Sequence, residues 1–275
     1  MGLRVNTNLS SLSARRNLAI VTERLGGNFG RLASGMRINV AADDAAGLGI
    51  SERMRAQIRS LHQAGRNASD GISLVQTAEG SLEELSSNMI RMRELATQAA
   101  NGTLNTGDRA VLDGEFQALR NEIDRVANQT TFNGVTLFDG SITSLSMQIG
   151  SESGETITVT LQDTTASALG LSGAGFDVTT ATNASNVLDT LDAAVDQVST
   201  FRGNLGAFQN RLSSVTRSIS VASENLAAAE SRIRDVDIAE ESADLTRNTI
   251  LQQAAVSVLS QANLQPQIAL ALLQR

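Results

Sequence analysis

The chain of 275 residues is long enough for one large domain or two small ones, carries a net charge of −7, and contains no Cys, no Trp, no Tyr and a single His. It therefore has no disulfide framework and no thiolate chemistry, lacks the two His on one helix face that zinc-protease chemistry needs, and is too acidic for nucleic acid to be its main partner. Its apolar mass is Leu, Ile, Val and Ala, the vocabulary of helix seams, and Pro266 is its one proline, so long uninterrupted helices are permitted.

At the N-terminus, Met1 to Asn8 offers no apolar signal region and Gly2 no lipidation context. No cleaved leader or lipid anchor is expected. Residues 1–40 hold six Arg and one Glu, net +5, which leaves −12 for the remainder. This reads as a basic helix facing acidic helices or solvent rather than a membrane. Leu18, Val21, Leu25, Phe29 and Leu32 form its apolar stripe. Gly26, Gly27, Gly30 and Gly35 follow no strand, so they are not a phosphate loop; they are expected to let helices approach or bend.

A second helix is predicted from Asp43 or Asp44, which suit an N-cap and first turn. It continues through Met54, Ile58 and Leu61 into the seam Val75, Ala78, Leu82, Leu85, Met89, Met92, Ala96 and Ala99, and stops at the turn pair Asn101-Gly102. Asp43-Asp44 reads as capping and intermolecular contact rather than a metal or acid–base pair, and His62 as a surface or packing residue, with no triad context around it. A third helix follows Thr106-Gly107-Asp108, with Leu112, Phe116, Leu119, Ile123 and Val126 on one face.

From about Asn133 the pattern changes. Asn133-Gly134 and Asp139-Gly140 are turn pairs, Leu145 to Ile149 reads as a strand, and Thr156 to Leu161 alternates with period two as another, with Glu152 to Glu155 turning between them. Asp163 to Thr182, rich in Gly, Ser, Thr and Ala, is expected to be a surface excursion. Two rows with a seven-residue period then begin: Leu191, Val198, Leu205, Leu212, Ile219, Leu226, Ile233, and Val187, Ala194, Phe201, Phe208, Val215, Ala222, Ala229, Val236. They predict a coiled-coil-type helix about 75 Å long at about 1.5 Å per residue. A compact domain of this size has a radius of gyration near about 19 Å, so the expected architecture is mainly α: an elongated, coiled-coil-like helical bundle with a small β-hairpin region.

No charge interrupts Asn248 to Gln274. Its Gln, Ser and Asn are too many for a spanning helix of about 20 apolar residues, so no membrane insertion is expected. Leu251, Ala255, Val258, Leu259 and Ala262 form a stripe that suits the N-terminal helix as partner. The run is apolar or small on more sides than one partner covers, and the surplus calls for another molecule.

Several ordered motifs resemble bacterial flagellin in a short, core-only form. They are Arg4-Val5-Asn6-Thr7-Asn8; Arg31-Leu32-Ala33-Ser34-Gly35-Met36-Arg37-Ile38-Asn39; Ala41-Ala42-Asp43-Asp44-Ala45-Ala46-Gly47-Leu48; Gln63 to Ser73; Met92-Arg93-Glu94-Leu95-Ala96; Asn121 to Val126; Thr131-Phe132-Asn133-Gly134; and Ser231 to Asp237. The resemblance implies a structural subunit, not an enzyme, that polymerises into the flagellar filament for swimming motility, with no cofactor or metal. A hook–filament junction protein and a surface-displayed flagellin-like adhesin stay open as alternatives. It implies that 1–42 and 236–275 form the filament's inner tube, that 43–235 form a helical rod with β-hairpins, and that 140–184 is a short variable surface segment. Inter-subunit packing then falls to Leu18, Val21, Leu25, Phe29, Leu32, Leu251, Val258, Leu259, Leu270, Leu272 and Leu273. The implied partners are copies of the chain itself, a flagellar export chaperone, hook-associated and cap proteins, and a host flagellin-sensing Toll-like receptor reading Arg91, Leu95 and Glu115. The implied location is the extracellular flagellum, reached without a cleaved signal peptide.

Overall fold

The structure, a computed structural model, describes residues 7–273, with side chains through Gln265. Five helices and two short antiparallel hairpins are present among them: α1 (Leu9–Ser34), α2 (Ala45–Ala99), α3 (Thr106–Gln129), β1 (Thr131–Phe132), β2 (Val135–Thr136), β3 (Ser144–Gln148), β4 (Thr156–Thr160), α4 (Ala181–Arg234) and α5 (Ile238–Leu273). The chain divides into two compact units, residues 1–58 with 224–275, and residues 59–223.

In the first unit α1 and α5 lie antiparallel. Asn8 Nδ2 donates to Ala262 O at 2.7 Å, Asn248 Nδ2 to Asn28 Oδ1 at 3.0 Å, and Arg31 Nε to Glu241 Oε1 at 2.9 Å. The helix ends carry recognisable caps. Asn8 Oδ1 accepts from Ser11 N at 3.0 Å, and α1 terminates at Gly35, whose φ of 70° a residue with Cβ adopts only at a cost. Asp44 Oδ1 accepts from Gly47 N at 2.9 Å and caps α2, while Asp43 Oδ2 accepts from Asn39 N and Val40 N, both at 3.0 Å, and ties down the preceding loop. These two backbone donors hold the Asp43 carboxyl below its usual pKa.

The α1–α2 and α4–α5 connections are knitted together. Met36 and Asp235 form an isolated antiparallel bridge, Arg37 N donates to Arg234 O at 2.7 Å, and Val236 N donates to Gly35 O at 3.1 Å. This pairing ends α4 at Arg234, so the last position of the seven-residue pattern, Val236, falls outside the helix.

The second unit is built around one apolar core. Along α4, Val187, Leu191, Ala194, Val198, Phe201, Leu205, Phe208, Leu212 and Ile219 are buried, as the period predicts. All of these but Ile219 share a single cluster with Val75, Ala78, Leu82, Leu85, Met89 and Met92 of α2 and Phe116, Ile123 and Val126 of α3. Phe138 meets Phe201 edge to face at 6.0 Å between ring centroids. The β1–β2 hairpin turns on Asn133 (φ 49°) and Gly134 (φ 78°), as a two-residue turn of matching twist requires. The β3–β4 hairpin pairs Met147 with Ile157, and Met147 Sδ lies so close to Gly71 of α2 that a side chain there would collide with it.

The stretch 161–180 corrects a sequence expectation. Where a surface excursion was expected from Asp163 to Thr182, Ala166, Leu169, Leu171, Phe176 and Val178 are buried, and with Leu161 before them they make a strap over the core. It is anchored by Asp124 Oδ1 accepting from Ala166 N at 2.8 Å and by Asp113 Oδ1 accepting from Val178 N at 3.0 Å. Its apolar residues follow neither a helix nor a strand period, because turns rather than a regular element aim them inward.

Candidate assembly surfaces

The α1–α5 pair buries only its inner faces. Ala14 and Ala262 are buried, and Leu18, Val21, Leu25, Leu32, Ala255 and Leu259 are half-buried. Of the other residues predicted for intermolecular packing, Phe29 is 56% exposed, Leu251 44% and Val258 55%. Leu270, Leu272 and Leu273 lie outside the residues whose side chains are described. Further outward apolar side chains were not singled out in the sequence: Leu9, Leu12 and Ile20 on α1, and Ile250, Val256 and Leu264 on α5. For α5 the signal was the charge-free run itself, since a helix apolar on all sides cannot satisfy itself against one neighbour; the Arg-bearing α1 offered no such signal for Leu9, Leu12 and Ile20.

Between the helices runs a groove of about 610 Å³ lined by Glu23, Arg24, Asn28, Arg31, Asp244, Arg247 and Asn248, with Ile20 and Leu251 at its apolar edge. Glu241, 9% exposed as a whole residue, is paired with Arg31, whose side chain is partly exposed. The pair is therefore more sheltered than a surface ion pair. Gly26 and Gly30 of α1 face open space: a Cβ built on either would meet nothing within 4 Å.

A second surface lies on α2 and α3. Arg91 donates from Nε and Nη2 to Glu115 Oε1, at 3.0 and 2.9 Å, and from Nη1 to Glu94 Oε2 at 2.9 Å. Hydrogen bonds to Glu94 and Glu115 raise the Arg91 pKa above its ordinary value. Both Arg91 and Glu115 side chains are about half exposed, and Ile90 beside them is 50% exposed.

Leu95 does not belong to this accessible patch. It is 1% exposed, within the core. The sequence placed it off the α2 seam, but α2 has two neighbours: Arg91 reaches Glu115 of α3, and Arg93 reaches Asp192 of α4 at 2.5 Å. Two neighbours widen the buried arc beyond a two-position seam, and Leu95, one turn on from Arg91, falls inside it. His62 is exposed, with Nε2 at 3.5 Å from Ser223 Oγ. Among the described residues no helix is long and apolar enough to cross a membrane.

Long helices paired at the termini, with apolar side chains left on their outer faces, define a structural subunit built to associate with further copies. Residues 5–143 match the bacterial flagellin N-terminal helical region, and residues 188–273 match the bacterial flagellin C-terminal helical region. The chain belongs to the flagellin family. It is similar to the flagellin of Halalkalibacterium halodurans, at 48% identity over 98% of this chain and 99% of that one. Among solved structures it resembles Bacillus cereus flagellin at 34% identity, with a TM-score of 0.52, covering 60% of this chain and 94% of that one. It shares the fold of a putative flagellar hook-associated protein from Vibrio parahaemolyticus, with a TM-score of 0.59 at 16% identity, covering 70% of this chain and 100% of that one. The chain is a structural subunit of the bacterial flagellar filament, not an enzyme, and the flagellum is its location.

Proposed function

We propose that the outer faces of α1 and α5 are the surfaces on which copies of this chain polymerise, and that residues 1–42 and 236–275 thereby form the inner tube of the filament. The observation that carries this reading is the density of large apolar side chains left in water on both helices, with Leu9, Leu12 and Ile250 at 60% exposure or more. Burying each such side chain yields about 1.5–3 kcal/mol, whereas ordering each residue of a free terminus costs about 1–2 kcal/mol of backbone entropy. One helix pair sits near balance; several neighbours tip it. Head-to-tail contacts that do not close give an open helix. The open space at Gly26 and Gly30 suits close approach by a neighbouring helix. Leu270, Leu272 and Leu273 are assigned to the same packing, and residues 43–235 to the layer outside it.

The finer partners follow from the family resemblance. They are an export chaperone on the C-terminal leucines, hook-associated and cap proteins at the filament ends, and export without a cleaved signal. For the host flagellin-sensing Toll-like receptor, the exposed members of the recognised patch are Arg91 and Glu115, with Leu95 supporting them from beneath.

The decisive experiment is seeded polymerisation followed by electron microscopy. The full chain elongates short seeds into filaments; Ile250→Ser with Val258→Ser, and deletion of 248–275, do not. If either variant elongates seeds as the full chain does, α5 is not the assembly surface. Arg91→Ala should lower receptor signalling by the monomer, and an unchanged response would remove that part of the reading.

A further inference from the structure

The turn between α2 and α3 places unusual chemistry around one Asn-Gly bond. The backbone carbonyl of Asn101 accepts from Arg109 Nη2 at 2.9 Å and from Leu104 N at 3.3 Å. Arg109 is buried, and its Nε also donates to Ala99 O at 2.8 Å, so the guanidinium is fixed in place. The Asn101 side-chain Oδ1 accepts from Thr103 N at 3.2 Å. Among the described residues no hydrogen bond engages the Gly102 N–H, and both Asn101 and Gly102 are exposed to water.

We infer that Asn101 is a self-modification site, where the main chain converts asparagine to aspartate and isoaspartate with water as the only co-reactant. A solvent base removes the Gly102 N–H proton. That nitrogen attacks Asn101 Cγ, and an N–Cγ bond forms as the Cγ–Nδ2 bond breaks. The side-chain nitrogen takes up a proton and leaves as ammonia. Water then opens the five-membered succinimide at either carbonyl, and no atom changes oxidation state overall.

Each contact assists a named moment of this sequence. The anion formed when Gly102 loses its proton is shared with the Asn101 carbonyl oxygen, where the Arg109 cation sits, and a charged donor favours the charged form. The Thr103 N–H faces the oxygen on which negative charge develops as the ring closes. Gly102 has no Cβ to obstruct the attack. The product is not neutral for the turn. Isoaspartate routes the main chain through Cγ, lengthens it by one methylene and turns the carbonyl that accepts from Arg109 into a free carboxylate, whereas aspartate puts the new carboxylate where the side-chain amide stood, against Thr103 N. A subunit in a filament would carry at this turn a record of its age.

A second Asn-Gly in the same molecule serves as the comparison. Asn133-Gly134 sits in the tight β1–β2 turn between paired strands, with no guanidinium on its carbonyl and no donor on its side chain among the described contacts. The test follows both bonds by peptide mapping and mass spectrometry in mildly alkaline buffer, in folded protein and in protein held unfolded by urea. In folded protein Asn101 converts at least about tenfold faster than Asn133, less than the about 10²–10³ that one preorganised donor supplies at a developing charge in a water-excluded site, because this turn is exposed, and urea erases the difference. Arg109→Gln slows Asn101 and leaves Asn133 unchanged. Equal rates in folded protein, or a gap that survives in urea, would overturn the proposal. The folded-against-unfolded comparison on the unaltered chain decides the matter even if Arg109→Gln does not fold.

Discussion

Asp139 shows what a single loop carboxylate does here. It accepts from Ser141 Oγ and Thr136 Oγ1, each at 2.6 Å, and from Ser141 N at 3.0 Å. These donors, the serine hydroxyl first, lower its pKa to about 2. The folded value lies below the unfolded value of about 3.9, so the unfolded chain binds the proton more readily. The stabilisation is therefore present above about pH 4 and is lost as the pH falls toward about 2. Asp177, Asp192 and Glu122 are lowered as well and push in the same direction. Urea denaturation of Asp139→Asn should give a shallower loss of stability across that window than the unaltered chain; parallel curves would show that Asp139 is not a contributor. At this scale the sequence was half legible. Asp139-Gly140 announced a turn because Gly140 needs its positive φ of 75°, but nothing in the sequence says that Thr136 and Ser141 close on the carboxylate. Leu95 was misread for a related reason: which side of a residue is covered depends on the count of neighbouring helices, and one helix's pattern does not contain that count.

Among the elements, α4 was the most legible and the 161–180 strap the least. A period of seven sustained over many turns survives local exceptions: its positions are buried from Val187 to Leu212, Val215 is half-buried, and Ile219 is buried again. A strap has no period to read. Its composition of Gly, Ser, Thr and Ala matches that of solvent loops, and its few large side chains are aimed by turns such as the one at Gly170 (φ 75°). The β1–β2 pair was also invisible apart from its turn, since two-residue strands are too short to alternate. The strap gives this scale its prediction. Leu171 is 0% exposed, like Leu205 of the α4 seam at 1%. Leu171→Ala and Leu205→Ala should therefore destabilise by similar amounts, about 2–5 kcal/mol, measured by urea unfolding of the monomer. A surface position would change stability by no more than about 0.5 kcal/mol, and that result for Leu171 would return the strap to the status of a loop.

At the scale of the molecule, the two units hold very different amounts of core. The apolar cluster running from Ala68 to Leu212 lies wholly within 59–223, whereas Ala14, Ile38 and Ala262 are the buried apolar residues described for the terminal unit. Local opening costs least where few apolar contacts must be broken. The α1–α5 pair rests on half-covered side chains, a few polar links and the Arg31–Glu241 pair, so in the monomer it opens at a small fraction of the free energy that unfolds the second unit. Assembly changes the balance, because each neighbour that covers Leu12, Ile250 or Val258 adds to the closed state and nothing to the open one. Amide hydrogen exchange, measured on monomer and on filament, separates these contributions. In monomer, α1 and α5 exchange early while the buried stretch of α4 from Val187 to Leu212 exchanges late; in filament, α1 and α5 become as slow as α4. If α1 and α5 were already as protected in monomer as α4, their folding would not depend on assembly, and the exposed apolar faces would need another explanation. If they stayed fast in the filament, neighbouring copies would not be what covers them.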